Sequence, residues 1–239
     1  ISFKDVYFAY DSDEYVLKDI SFDVNAGERV AFVGPTGAGK TSVINLLSRF
    51  YEFNKGNIEI DGRNIRDYDI AFLRKNIAVV LQDVFLFSDT VHNNITINNP
   101  NITREKVIEA AKAVGAHKFI MKLPGNYDFD VKERGGMLSA GQRQLIAFIR
   151  AYVYDPSILV LDEATSSVDS ESEKMIQNAI DKVTEGRTSI IIAHRLSTIQ
   201  RADKIIVLDN GEVLESGTHD ELMQNGGMYK NLFELQFSH

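Results

Sequence analysis

The chain has 239 residues, 44% hydrophobic and 25% charged, with a formal net charge of −8 and no cysteine. That balance fits a globular protein with a large core, argues against a nucleic-acid surface as the main partner, and excludes disulfides and thiolate metal sites. No apolar stretch is long enough to span a bilayer and no signal-peptide pattern opens the chain; the start at Ile1, directly on an alternating segment, reads as a piece of a longer polypeptide.

Strand patterns open the chain at 3–10, 17–24 and 28–33. The third leads into Gly34-Pro35-Thr36-Gly37-Ala38-Gly39-Lys40-Thr41, which fits G-x-x-x-x-G-K-[ST]. Apolar residues at Val43, Ile44, Leu46 and Leu47 predict the helix that leads out, over 41–50. Glycines in such a loop let backbone N–H groups turn inward around phosphate oxygens, and the new helix adds its unpaired N–H groups and positive dipole end. Lys40 is then placed to reach the β- and γ-phosphates, Thr41 to ligate Mg²⁺ and Ser42 to complete the cradle. Residues 57–62 read as a strand ending in an Asp61-Gly62 turn, and 77–81 as a buried strand closing on Gln82.

From 90 to 154 the pattern turns helical, with helices expected over 104–114, 116–123 and 139–152 and turns at 124–128 and Gly135-Gly136. Beyond it, 158–161 and 189–192 are continuous apolar runs, as expected of parallel strands covered on both faces, joined by a crossover helix over 170–183. Strands 204–208 and 212–215 flank the hairpin signal Asp209-Asn210-Gly211, and short helices are expected over 220–224 and 228–235.

Several polar residues fall at strand ends near this phosphate loop. Asp162 ends one apolar run, where a carboxylate holds Mg²⁺, and Glu163 follows it as a group able to orient and deprotonate an attacking water. Gln82 can reach the metal or the water with its amide oxygen. His194, after the strand 189–192 and a small Ala193, can bond the γ-phosphate. Tyr10 offers an aromatic face to adenine.

At Leu138-Ser139-Ala140-Gly141-Gln142 the chain resembles a family. The segment is similar to the L-S-G-G-Q signature of ATP-binding cassette (ABC) transporter nucleotide-binding domains. The family's motifs follow in order. They are the A-loop aromatic Tyr10, the Walker A loop with Gly34 and Thr41 at its ends, the Q-loop Gln82, the signature, the Walker B strand ending at Asp162 with Glu163, the D-loop Ser167-Val168-Asp169 and the switch His194. Ser139 is expected at a helix N-cap, where its hydroxyl and the following N–H groups make an anion site.

The resemblance implies an α/β fold: a P-loop NTPase core with a mixed sheet, RecA-like plus an antiparallel β subdomain, and an inserted helical lobe. One domain over 1–239 is expected, with its core at 1–89 and 155–239 and the lobe at 90–154. It implies ATP hydrolysis with Mg²⁺, and head-to-tail pairing with a second nucleotide-binding domain, so that Ser139, Gly141 and Gln142 close on the partner's ATP. Glu133-Arg134-Gly135-Gly136 and the run from Phe85 to Ile95 resemble exporter loops that touch a transmembrane domain, at the cytoplasmic face of a membrane. Two departures stand out: Ala140 replaces the signature's first glycine, and Leu145 stands where many members have Arg. Such variants resemble one half of heterodimeric exporters. A soluble ABC ATPase acting on nucleic acid or ribosomes is the rival reading; a P-loop kinase and a regulatory ATP binder are weaker ones. The transported molecule is not written in this segment.

Overall fold

In the larger sheet of the computed structural model, every central strand divides its side chains between two cores. The model describes residues 1–11, 14–163 and 170–237. Along β3 (Arg29–Val33), Ala31 and Val33 join one core while Val30 and Phe32 join the other. The period of two along a strand makes this division, and burial on both faces is why the strands read as unbroken apolar runs. The sheet has the order β10-β9-β3-β8-β7-β6, with β6 (Ile77–Val80), β7 (Ile158–Asp162), β8 (Thr188–Ile192) and β9 (Lys204–Asp209) parallel to β3. β10 (Glu212–Gly217) pairs antiparallel at the edge.

The smaller sheet is antiparallel, in the order β2-β1-β4-β5, from β1 (Ser2–Phe8), β2 (Leu17–Asp23), β4 (Lys55–Ile60) and β5 (Arg63–Asn64). Its apolar face packs with α1 (Lys40–Leu47) against one side of the larger sheet. The other side carries the second core, which includes α3 (Val91–Thr96), α4 (Arg104–Ala113), α5 (His117–Ile120), α6 (Ala140–Tyr154) and α7 (Ser170–Thr184).

Both expected strand-joining turns form with two positive φ angles, Asp61 and Gly62 at 51° and 74°, Asn210 and Gly211 at 49° and 81°, the twist that suits a two-residue hairpin. Gly211 has a second constraint. A Cβ there would lie 2.1 Å from the Val16 carbonyl, and its own carbonyl accepts from Lys18 N at 2.7 Å, joining the two sheets. Gly211→Ala is expected to cost about 1–3 kcal/mol of stability, read as a lower urea midpoint at constant slope.

Some boundaries differ from the sequence reading. The helix expected over 41–50 ends at Leu47, because Arg49 turns to φ 48°. Of 116–123 only His117–Ile120 is α-helical. β1 stops at Phe8, so Tyr10 lies beyond it rather than at its end. Two short helices, α2 (Ile70–Asn76) and α8 (Leu196–Gln200), carry too few turns to leave an apolar period; α2 betrays itself only by Asp69, whose carboxylate caps Phe72 N at 2.8 Å. The chain closes on α9 (His219–Asn225) and α10 (Met228–Phe237). Among the described residues no helix is long and apolar enough to cross a membrane.

Candidate active site

The loop between β3 and α1 closes because glycine alone fits its corners. Gly34, Gly37 and Gly39 have φ of 150°, 84° and 102°. A Cβ on Gly34 would come within 2.0 Å of the Leu208 carbonyl, and one on Gly39 within 2.6 Å of Leu17, while one on Gly37 meets nothing within 4 Å. Gly34 and Gly39 are therefore needed for seating the loop on β9 and β2, and not only for turning N–H groups inward around a phosphate.

Residues Thr36, Gly37, Ala38, Gly39, Lys40, Thr41 and Ser42 line a cleft of about 410 Å³ together with Gln82, Asp162 and His194. Gly34 and Pro35 sit behind it, in an adjoining groove that shares Thr36 and His194. Lys40 Nζ donates to the Gly34 carbonyl at 2.7 Å and the Pro35 carbonyl at 2.8 Å, curling over the loop. Burial pushes the Lys40 ammonium below its usual range, opposed by Asp162. Burial likewise pushes Asp162 up, against the pull of Lys40. Each charge is thus short of counter-charge, the condition that a phosphate and a divalent cation relieve. The oxygen donors of Thr41, Gln82 and Asp162 suit a hard cation. Among the described residues no three His, Asp or Glu gather into a cage, and Mg²⁺ needs none when phosphates complete its shell. His194 is held below its usual range by burial and then by Lys40, which keeps the imidazole neutral near pH 7.

Glu163 departs from the expected picture. It is 2% exposed and does not line the cleft. One carboxylate oxygen accepts from His194 N at 3.0 Å and Arg195 N at 3.2 Å, and the other from the Thr198 hydroxyl. Burial raises its pKa, and those bonds hold it back.

Tyr10 stands beside the cleft, not in it. Its hydroxyl lies 3.0 Å from Ser42 Oγ and accepts from Asn45 Nδ2 at 3.0 Å, while its ring packs edge-on against Phe8 and Tyr51. The signature residues lie apart as well: none of Ser139, Gly141 or Gln142 lines the cleft. Ser139 caps α6 as expected, in a reciprocal box in which its Oγ accepts from Gln142 N at 3.2 Å and Gln142 Oε1 accepts from Ser139 N at 3.0 Å. The Ser139 hydroxyl proton remains available to an anion. Ala140 begins the helix without a positive φ, and Leu145 is buried in the larger core. The D-loop Ser167-Val168-Asp169 lies outside the described residues.

Gln82 borders a second space of about 450 Å³, lined also by Asp83, Val84, Arg134, Ala140, Arg143 and Gln144. The two exporter-like loops meet near it: a Cβ on Gly135 would touch Leu86 at 2.9 Å and Arg143 at 3.0 Å. Asn94, wholly buried, holds the first loop by accepting from Phe87 N at 2.8 Å and donating to the Phe87 carbonyl at 2.9 Å. Sequence reasoning missed Asn94, Asn45 and Val16, the last of which lines the cleft. An amide in a polar run and a valine before a strand carry no signal of their own.

A family model described as ABC transporter matches residues 17–166. The chain is 50% identical over 237 residues to the putative multidrug export ATP-binding/permease protein YgaD of Bacillus subtilis, covering 99% of this chain and 41% of that protein. It is 49% identical over 236 residues to the probable multidrug resistance ABC transporter ATP-binding/permease protein YheH of the same species, covering 99% and 35%. Among solved structures it matches a bacterial Atm1-family ABC exporter with ATP bound, at a TM-score of 0.93 and 42% identity, over 100% of this chain and 42% of that one. The chain spans about two-fifths of the length of the relatives it matches. The expected fold class, a P-loop core of mixed sheets with helices inserted, agrees with that match. The chain belongs to the ABC transporter family, as one of its ATP-binding, ATP-hydrolysing domains.

Proposed function

We propose that this chain powers export across a membrane by closing head to tail with a second nucleotide-binding domain, identical or related, around two ATP molecules. One observation carries the reading: the cleft gathers Thr36 to Ser42 with Gln82, Asp162 and His194, while the capped helix start of the signature stands elsewhere on the same chain. A second domain is the natural source of the missing half.

In this reading the core, 1–89 and 155–239, holds the nucleotide and the lobe, 90–154, carries the signature. The loop amides and Lys40 bind the phosphates, and Tyr10 faces adenine. Thr41, Asp162 and Gln82 would hold Mg²⁺, which would neutralise charge on the phosphates. Glu163 takes a proton from the attacking water. His194 bonds the γ-phosphate, and the partner's signature excludes water from the far side. ATP stabilises the closed pair because contacts to the signature exist only there, and hydrolysis lets it open.

The exporter reading draws on the export and permease names of the relatives, which favour it over a soluble ATPase acting on nucleic acid. It also draws on the surface where the two loops meet. Phe85, Phe87 and Met137 are each more than half exposed there, beside Gln82 and Arg134. Apolar side chains standing in water at the end of a link to the nucleotide suit a docking face for a transmembrane domain. The domain would then work at the cytoplasmic side of the membrane.

Light scattering tests the pairing. With ATP and Mg²⁺, the chain carrying Glu163→Gln is expected to shift from monomer to dimer, and adding Ser139→Arg is expected to abolish the shift, with the chain still melting cooperatively after losing about 1 kcal/mol with the helix cap. A dimer indifferent to Ser139→Arg, or none at all even with the native partner domain, would remove the shared-ATP reading.

A further inference from the structure

Three hydrogen-bond donors converge on the Glu163 carboxylate, and one of them is a side chain with no assigned role. Thr198, 1% exposed, sits in α8 and donates its hydroxyl to one oxygen, while the backbone N–H groups of His194 and Arg195 donate to the other. The Glu163 amide is itself tied to the Ile192 carbonyl at 3.1 Å, so the backbone is anchored and only the side chain is free to swing. Asp162, its neighbour in sequence, and His194, whose amide it binds, both line the cleft, and Glu163 does not.

We propose that Thr198 is a positioning residue that keeps the Glu163 carboxylate parked out of the nucleotide cleft, so that hydrolysis waits on its release. The proposal rests on Glu163 being the base. His194 supplies the trigger, because the residue lines the cleft while its backbone N–H holds the parked carboxylate. A ligand that moves the ring alters the grip on the base. The opposing reading gives Thr198 and Glu163 only a structural task, satisfying the start of α8, and predicts a loss of stability with no gain in rate.

Thr198→Val removes the hydroxyl and keeps the shape. Phosphate release by the full chain is expected to show kcat raised about tenfold, the worth of one hydrogen bond to a charged group, with KM for ATP held within about twofold. Thr198→Ser, which restores the donor, returns kcat towards the parent rate. An unchanged or lowered kcat in a Thr198→Val chain that still melts cooperatively overturns the proposal.

The unmutated chain gives a second, independent measurement. Hydrogen exchange at the His194 and Arg195 amides is expected to be slow without nucleotide and to quicken about tenfold with Mg²⁺ and a non-hydrolysable ATP analogue, as the carboxylate leaves. Equal protection in both conditions overturns the proposal even if no variant folds. Glu163→Gln separates the two layers. If it turns over ATP at the parent rate, the base assignment falls and the parking with it. If it is inactive while Thr198→Val is no faster than the parent, the base stands and only the parking falls.

Discussion

Replacing Glu163 by glutamine is expected to lower kcat for ATP hydrolysis by about 10²- to 10⁴-fold, the usual contribution of a positioned general base, while ATP affinity stays near that of the parent. The amide keeps the side chain's size and one acceptor oxygen but cannot take a proton. Affinity is spared because Glu163 does not line the cleft that holds the nucleotide. The substitution also has a structural cost. A carboxylate serves His194 N, Arg195 N and the Thr198 hydroxyl at once, and an amide cannot accept from all of them. The Thr198 hydroxyl must then turn to accept from the amide NH2, and the exchange of a bond to a charge for a neutral one should lower stability by about 1 kcal/mol. Steady-state phosphate release, nucleotide titration and a thermal melt on one preparation separate these effects. Parent-like turnover would remove Glu163 from the base role.

Lys40→Ala is expected to weaken ATP binding by about 10- to 100-fold, from loss of a charge-assisted hydrogen bond worth about 1.5–3 kcal/mol. Lys40 is 9% exposed, and its ammonium reaches two carbonyls of its own loop. Those carbonyls and its burial hold the amine against its own loop, so little side-chain freedom remains to be lost when phosphate arrives. Truncation leaves the loop itself seated, because Gly34 and Gly39 pack on β9 and β2 without help from the lysine. Loss of affinity in a chain that still melts cooperatively, with a small drop in melting temperature from the two carbonyls left without the ammonium, is therefore the expected signature, measured by fluorescent-nucleotide titration. Unchanged affinity would mean that Lys40 does not touch the nucleotide.

These two residues also mark how far reading the chain reaches. Lys40 sits in an octapeptide whose spacing already states its task, since the loop, the helix start and the lysine are neighbours along the backbone. Ser139 was legible for the same reason: a capping box is completed within three residues. Buried parallel strands announce themselves because two-sided burial leaves no polar period, and the Asn210-Gly211 turn because few residues accept two positive φ angles in a row.

What lay beyond reach depends on contacts between distant segments. The amino-acid order by itself determined the strand periods, the phosphate loop, the capped signature helix and the succession of motifs, because each is written within a turn or two of backbone. Only the tertiary structure decided that Gly34 must be glycine to clear Leu208, that Gln82 borders two cavities, that the signature stands outside its own chain's cleft, and that Glu163 faces Thr198. The direction of a side chain is set by whichever donors the fold brings to it, and those of Glu163 come from 31 to 35 residues further along the chain.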